Sequence, residues 1–470
     1  MPYYDPPERV IQNRVIRLMR ESLGYEYLGN WMDRPGNSNI EENLLTAWLK
    51  KRGEDEALFP RVLHELRRAA ALGEGRNLYE ANRAVYTLLR YGVEIREAGE
   101  KTRRVRVIDW ENPDANHFAV AEEVSVQGEN RKRPDLVLYV NGLALGVLEL
   151  KRSTVSVTEG IRQNLGNQQN AFIRNFFATV QLVMAGNDTE GVRYGAIETP
   201  EKYYLQWKEE NPAWFPGANV EKYLPLSTCP DGKTILDCAL LRLLEKGRFL
   251  ELIHDFTAFD SGLKKIARPN QYFAVRAAQK RVAKREGGIV WHTQGSGKSL
   301  TMVWLARWLR ENVENARIFI ITDRVELDEQ IEGNFKGVGE NIHRTYSGAD
   351  LIRTLNDPKY FLVCSLIHKF GRQGGKESDD QAMQDYIEDI RRSLPANFRP
   401  KGEIFVFVDE CHRTQSGKLH QAMKAILPNA MFIGFTGTPL LKTDKQKSVE
   451  VFGSYIHTYQ YDEAVRDGVV

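Results

Sequence analysis

Cysteine is scarce in this chain: four residues, Cys229, Cys238, Cys364 and Cys411, among 470. They are widely spaced and form no CxxC pair, which argues against a zinc site, predicts no disulfide framework and points to a reducing, cytoplasmic compartment. Long apolar runs are missing too. No stretch approaches the roughly 18 residues a membrane span needs, so no membrane partner is expected. Residues 1–10 are polar and carry three prolines, without the apolar run of a signal peptide, so export is not expected. A strong charge of one sign is absent: the formal net charge is +2, which by itself says nothing about nucleic acid. Two local basic clusters stand out, Lys101-Thr102-Arg103-Arg104 and Arg131-Lys132-Arg133; each reads equally as a solvated face or a DNA contact. No internal repeat is present. With 42% apolar and 27% charged residues, the composition excludes disordered and collagen-like classes.

The length exceeds what one core serves and predicts two or three domains. Helical patterning covers residues 6–24, 41–52, 58–71 and 80–91. From residue 105 the pattern changes to short strands over 105–108, 118–126, 136–140 and 143–150. A polar helix over 161–177 and strands over 180–185 and 191–197 follow. Residues 200–265 read as the end of the first domain plus a connector, with one helix near 233–244. Beyond residue 268, helices alternate with buried strands at 288–291, 318–322, 361–365, 404–408 and 431–435. Such alternation means a parallel sheet covered on both faces. Residues 371–380 read as a surface-loop insert. The fold class is therefore α/β in both parts, with a mixed sheet first and a parallel sheet second.

Chemistry concentrates in two places. In the second part, His292-Thr293-Gln294-Gly295-Ser296-Gly297-Lys298-Ser299 follows a strand and opens a helix. Gly295 and Gly297 let backbone N–H groups wrap a phosphate chain, with Gln294 and Ser296 in the same loop. Lys298 can reach the terminal phosphates and Ser299 can ligate Mg²⁺. His292 departs from the Gly or Ala usual at the first position of this motif. Downstream, the apolar run Val406-Phe407-Val408 ends in Asp409-Glu410-Cys411-His412. Asp409 would hold magnesium through its waters, and Glu410 would orient and deprotonate the attacking water. Thr436-Gly437-Thr438-Pro439 follows another buried strand. Upstream, Gln271 can offer an amide donor and acceptor to an adenine edge. Together these point to ATP and Mg²⁺.

In the first part, Pro134-Asp135 precedes one strand and Glu149-Leu150-Lys151 ends the next. Asp135 and Glu149 would share metal; Lys151 would position or deprotonate the hydrolytic water and steady the scissile phosphate. The register between these strands decides whether that works. Asn141-Gly142 invites a two-residue type I′ turn. Carried through unbroken, it puts Asp135 opposite Leu148 and turns Glu149 to the other face. One extra residue restores a shared face for Asp135, Glu149 and Lys151, so an irregularity is predicted between Asn141 and Gly146, with Gly142 or Gly146 taking the unusual backbone angles.

The order Gln271, phosphate loop, Asp-Glu-Cys-His and Thr-Gly-Thr resembles superfamily 2 helicases. That resemblance implies a RecA-like fold, a coupling role for the segment at Thr436, and backbone-touching residues at Asp323, Arg324, Ser365, His368 and Lys369. The runs Arg133 to Gly142, Leu148 to Lys151, His292 to Met302 and Glu463 to Gly468 are similar to the motor subunits of type I restriction enzymes over nearly the whole chain. This implies a PD-(D/E)xK-type nuclease domain over 1–260, connector included, and a first RecA-like translocase domain over 261–470. It also implies a Gln on the helix after the Glu-Leu-Lys strand in the nuclease site: Gln163, or else Gln168 or Gln169. An acid of the first helix, Glu8, is a further candidate. Double-stranded DNA and methylation and specificity subunits are the partners implied. The rivals are another nuclease-helicase of DNA repair, a type III restriction subunit, whose nuclease follows the motor instead, or a remodelling ATPase with a non-cleaving DNA clamp.

The family uses a second RecA-like domain that supplies an arginine, and Val470 comes soon after the Thr436 segment, so the chain reads as a piece of a longer subunit. The expected outcome is ATP–Mg²⁺ binding through Lys298 with poor hydrolysis, since such an arginine is worth about 10³–10⁵ in rate. Robust DNA-stimulated turnover by the pure 470-residue chain would contradict it.

Overall fold

The computed structural model describes the chain except residues 1–6, 74, 97–101, 225–228, 230–231, 323–332, 334, 346, 367–387, 389, 391, 396–397, 399, 410, 412–422, 425 and 439–451. It divides into two compact units. The first comprises residues 1–209 and 223–268; the second comprises 210–222 and 269–470.

In the first unit, α1 (Glu8–Glu21) leads into β1 (Glu26–Asn30), then α2 (Glu42–Lys51), α3 (Phe59–Ala70) and α4 (Leu78–Tyr91). A small hairpin, β2 (Val93–Ile95) and β3 (Arg103–Val105), precedes β4 (Phe118–Glu122), β5 (Leu136–Val140) and β6 (Leu143–Leu150). Then come α5 (Val157–Asn167), β7 (Leu182–Asn187), β8 (Gly191–Gly195), β9 (Leu205–Gln206), α6 (Ile235–Leu243), α7 (Lys246–His254), and the hairpin β10 (Thr257–Asp260) with β11 (Leu263–Ile266). The main sheet is mixed, in the order β1-β4-β5-β6-β7-β8-β9. β6 is its middle strand, antiparallel to β5 and parallel to β7. All eight of its residues are buried, so the acid near its end is buried with them.

The β5–β6 hairpin has the expected irregularity. Asn141 (φ 53) and Gly142 (φ 82) form the turn, both in the left-handed region. Val140 pairs with Leu143 and Tyr139 with Ala144, but Leu138 pairs with Gly146, so Leu145 is the extra residue. Past this bulge, Leu136 faces Leu148, and one step further the register sets Asp135 opposite Glu149. The turn is fixed by its surroundings. A Cβ on Gly142 would lie 2.5 Å from the Glu41 carbonyl oxygen, and the Gly142 carbonyl accepts the Glu41 N–H at 2.8 Å.

Several local expectations are corrected. The helix expected over 161–177 starts at Val157, because the Ser156 hydroxyl caps the Thr158 N–H. It ends at Asn167, where Gln168 turns its amide back onto the Asn164 carbonyl, and a 3-10 turn covers Arg174–Ala178. Residues 106–108 are not strand. β1 was not anticipated; it completes the sheet edge beside β4. The expectation that the cysteines stay unpaired is also corrected: Cys229 and Cys238, with Cα atoms 5.9 Å apart, are joined as a disulfide. The start of α6 brings Cys238 to its neighbour across a nine-residue separation. Cys364 and Cys411 are buried and outside any disulfide.

The second unit carries α8 (Pro269–Lys284), β12 (Gly288–His292), α9 (Lys298–Asn312), β13 (Ala316–Thr322), β14 (His343–Thr345), α10 (Gly348–Asn356), β15 (Leu362–Leu366), β16 (Glu403–Val408), β17 (Met431–Thr436), β18 (Tyr455–Tyr459) and α11 (Tyr461–Arg466). Its seven strands run β14-β15-β13-β16-β17-β12-β18, and every pairing is parallel. The five expected strands are present, and β14 and β18 extend the sheet at its edges. Strand interiors such as Phe319, Val363, Val406 and Phe432 share one core cluster. Parallel pairing puts all the carboxyl ends on one edge, where ligands of such sheets bind. The proposed loop insert, residues 371–380, lies outside the described residues. Among the described residues, no helix is long and apolar enough to cross a membrane.

The turn yields a direct test. Gly142→Ala combines an unfavourable φ with a backbone clash. It should destabilise the first unit by at least about 1 kcal/mol, read as a lower thermal midpoint. An unchanged midpoint would contradict the tight packing of this turn.

Candidate active sites

Four elements of the first unit converge on Glu149. Asp135 enters from the approach to β5, and its Oδ2 accepts the Leu150 N–H at 2.7 Å. Gln163, half-buried on α5, donates from Nε2 to Glu149 Oε2 at 2.7 Å. Asn167, one turn on, donates to Glu149 Oε1 at 3.3 Å. Lys151 Nζ stands 3.7 Å from the Glu8 carboxylate of α1 and donates to the Leu150 carbonyl at 2.9 Å. Close packing of α5 on the sheet depends on Gly160, whose Cβ would meet Ala185 at 3.0 Å and Glu149 and Lys151 at 3.6 Å.

Of the three glutamines considered, the fold brings Gln163 to Glu149. Gln168 is buried elsewhere, receiving the Glu198 N–H at 2.7 Å, and Gln169 is exposed. Glu8, the further candidate from the first helix, faces the Lys151 ammonium. Asn167 was missed. Its signal was there in the spacing, since positions four apart share a helix face. Also missed was the anchor of α1. Glu122, buried on β4, accepts both Arg9 guanidinium nitrogens at 2.8 and 2.9 Å and Gln12 Nε2 at 3.3 Å, while Gln12 also reaches the Asp135 carbonyl. The basic clusters are engaged within the chain: Arg133 with Glu123, Lys132 over the Phe172 ring, Arg103 with Glu54 and Arg104 with Glu94.

The electrostatics follow from burial. Glu149 is held well above the usual carboxylate range, first by desolvation and then by the Asp135 charge and hydrogen bond, with Lys151 pulling the other way. Glu8 is also raised, chiefly by burial. Two close carboxyl groups flanked by amide donors and one ammonium form an oxygen-rich set in which a hard divalent cation would replace the proton. Asp135 and Glu149 are the groups that would hold it, while the half-buried Glu8 faces the Lys151 ammonium.

In the second unit the phosphate-loop sequence runs from the end of β12 to the start of α9. Gly295 (φ 81) and Gly297 (φ 86) take left-handed angles. Ser296 is buried, and its hydroxyl donates to the Thr293 carbonyl at 2.6 Å. Gln294 and Gly295 are exposed, and Lys298 and Ser299 are half-buried. A Cβ on Gly297 would lie 2.3 Å from Gln271 Nε2, and one on Gly437 2.9 Å from Lys298 Nζ. The loop is thus a glycine-lined cradle at a helix N-terminus, the arrangement a polyphosphate needs. Gln271 is placed against it, donating to the Gly297 carbonyl at 3.0 Å. Asp409 is buried at the end of β16. Thr436 ends β17, its hydroxyl near both the N–H and carbonyl of Thr438 at 3.3 Å. Glu410, Asp323, Arg324, His368 and Lys369 lie outside the described residues. Ser365 is on β15.

Comparison with known proteins adds the family context. Residues 6–202 match the family described as type I restriction enzyme R protein N terminus. Residues 270–470 match the family described as SWI2/SNF2 ATPase. The chain is similar to the type I restriction enzyme SauCOLORF180P endonuclease subunit of Staphylococcus aureus (strain COL), with 26% identity over 98% of the chain and 46% of that relative. It is 28% identical to the HindI endonuclease subunit of Haemophilus influenzae, over 83% of the chain and 38% of the relative. A Methanocaldococcus jannaschii protein, provisionally assigned as the type I restriction enzyme MjaIXP endonuclease subunit, is 32% identical over 82% of the chain and 37% of its own length. The chain therefore spans less than half the length of these relatives.

Linkage gives the test. A carboxyl raised above its ordinary 4.5 binds its proton more tightly in the fold than in the unfolded chain. Metal-free stability from this group is thus greatest at low pH and is lost as pH rises from 4.5 through the raised folded value. Glu149→Gln removes the buried charge. It should raise the metal-free thermal midpoint of the first unit at neutral pH by about 2–4 °C and abolish stabilisation by added Mg²⁺. A lower midpoint would sink this account.

Proposed function

The chain joins a domain of the type I restriction enzyme R protein N-terminal family to a SWI2/SNF2-family ATPase domain, and from that premise we propose that it is the nuclease and motor portion of a type I restriction subunit. The subunit couples ATP-dependent translocation on double-stranded DNA to Mg²⁺-dependent phosphodiester cleavage in the cytoplasm. Methylation and specificity subunits supply target recognition. The observation that carries this reading is a carboxylate pair, Glu149 on the middle strand with Asp135 opposite it at the approach to β5, with Lys151 beside it, in the same chain as a glycine cradle on an all-parallel sheet.

In the nuclease unit, bound Mg²⁺ supplies charge that polarises the phosphodiester and acidifies water. Asp135 and Glu149 would hold it. Gln163 fixes the Glu149 carboxylate through its 2.7 Å hydrogen bond. Lys151 carries the positive charge that orients water and steadies the phosphate, and Glu8 holds the ammonium in place. In the motor unit, the loop N–H groups and Lys298 would hold the ATP phosphates, and Ser299 their magnesium. Asp409 faces the same sheet edge, Glu410 serves as the base toward water, and Gln271 and Thr436 support the loop and the sheet end.

The test is division of labour in the full assembly. Lys298→Ala should lower ATP turnover by at least about 10²-fold and stop translocation and cleavage together. Asp135→Ala should abolish cleavage while leaving ATPase and translocation intact. Loss of translocation in Asp135→Ala would refute the two-module reading.

A further inference from the structure

Residues 210–222 belong to the second unit, although the chain on both sides of them belongs to the first. This segment is fastened to β18. Lys222 donates to the Thr458 carbonyl and to Glu463 at 2.9 Å, and the Trp214 ring meets the His457 ring edge-on at 5.5 Å. Glu210 Oε1 lies 2.6 Å from His457 Nε2. His457 Nδ1 lies 2.7 Å from His292 Nε2, and His292 Nδ1 lies 3.5 Å from Asn270 Nδ2. Both imidazoles are fully buried, and burial keeps both neutral, well below their ordinary range.

With neutral rings, one arrangement of protons satisfies every contact. The Glu210 carboxylate only accepts, so His457 donates from Nε2 and leaves Nδ1 bare. His292 then donates from Nε2, and its bare Nδ1 faces the Asn270 amide. The chain ends at the base of the phosphate loop. Thr293, the next residue, gives its N–H to the Tyr459 carbonyl, and its own carbonyl takes the Ser296 hydroxyl. Gln271, the neighbour of Asn270, holds the far side of the loop at Gly297. Here His292, the departure from the usual first residue of the loop motif, has a physical use: Gly or Ala could not join the chain.

We propose that Glu210 is a positioning residue for nucleotide binding, holding the phosphate loop in its binding geometry through His457 and His292. The inference rests on reading that loop as a nucleotide site. The segment that controls the loop therefore lies far from it in sequence and outside its motifs.

The experiment measures ATP–Mg²⁺ affinity of the 470-residue chain, with Lys298→Ala as the control for site-specific binding. Glu210→Ala should weaken binding about 10-fold or more, the scale of losing a hydrogen bond to a charged group. Glu210→Gln keeps an acceptor oxygen and should stay within about threefold of the original. Equal affinity of Glu210→Ala and the unaltered chain overturns the proposal, as does an equal loss in Glu210→Gln. A second readout needs no variant. Imidazole ¹⁵N shifts should show His292 and His457 both as neutral Nε2–H tautomers at neutral pH; an Nδ1–H tautomer or an imidazolium at either overturns the relay. If the unaltered chain shows no Lys298-dependent binding, the nucleotide reading itself fails and the inference falls with it. That result is distinct from binding that ignores Glu210.

Discussion

Glu149 lies fully buried on the middle strand of a seven-stranded sheet, and much of the first unit answers to that one carboxylate. Desolvating a carboxylate costs several kcal/mol unless partners compensate. Here the partners are two amides from one face of α5, a lysine two residues on, and a second acid directly across the hairpin. The acids repel while the amides and the lysine attract, so the site is held in tension that a proton or a divalent cation relieves. A core built for stability alone would place an apolar residue there. The position makes sense as a function held at a cost in stability.

That arrangement depends on backbone devices distant from the chemistry. The Leu145 bulge brings Asp135 and Glu149 into opposition, and Gly142 lets the turn seat under the start of α2. Gly160 lets α5 approach the sheet closely enough for its amides to reach. Glu122 grips Arg9 and Gln12, so that α1 presents Glu8 to Lys151. Each of these residues acts on the site through geometry rather than contact with substrate.

The second unit solves a different problem with a different sheet. Parallel pairing lines up strand ends, so the phosphate loop, Asp409 and Thr436 are set on one edge by topology. Glycines at Gly295, Gly297 and Gly437 keep the cradle open. Behind it, buried polar groups are chained donor to acceptor from Asn270 to Glu210, which satisfies residues that would otherwise be orphaned in the core.

What could be read from the sequence was whatever depends on neighbours along the chain. The phosphate loop is one continuous stretch between a strand and a helix, so its residues identify themselves. The hairpin register followed from the period-two alternation of strand faces, which turns a chemical demand on Asp135 and Glu149 into a count of residues. The parallel sheet followed from buried strands spaced by helices. The tertiary structure decided what depends on helix rotation and on contacts between distant segments. It brought Gln163 and Asn167, and not Gln168 or Gln169, to Glu149, because the helix ends at Asn167 and the chain turns away. It paired Cys229 with Cys238 against the expectation from spacing. It assigned residues 210–222 to the second unit, since their partners His457 and Glu463 lie more than two hundred residues downstream. Local sequence carries no record of such partners: an isolated Glu or His reads the same whether it meets solvent or another buried ring.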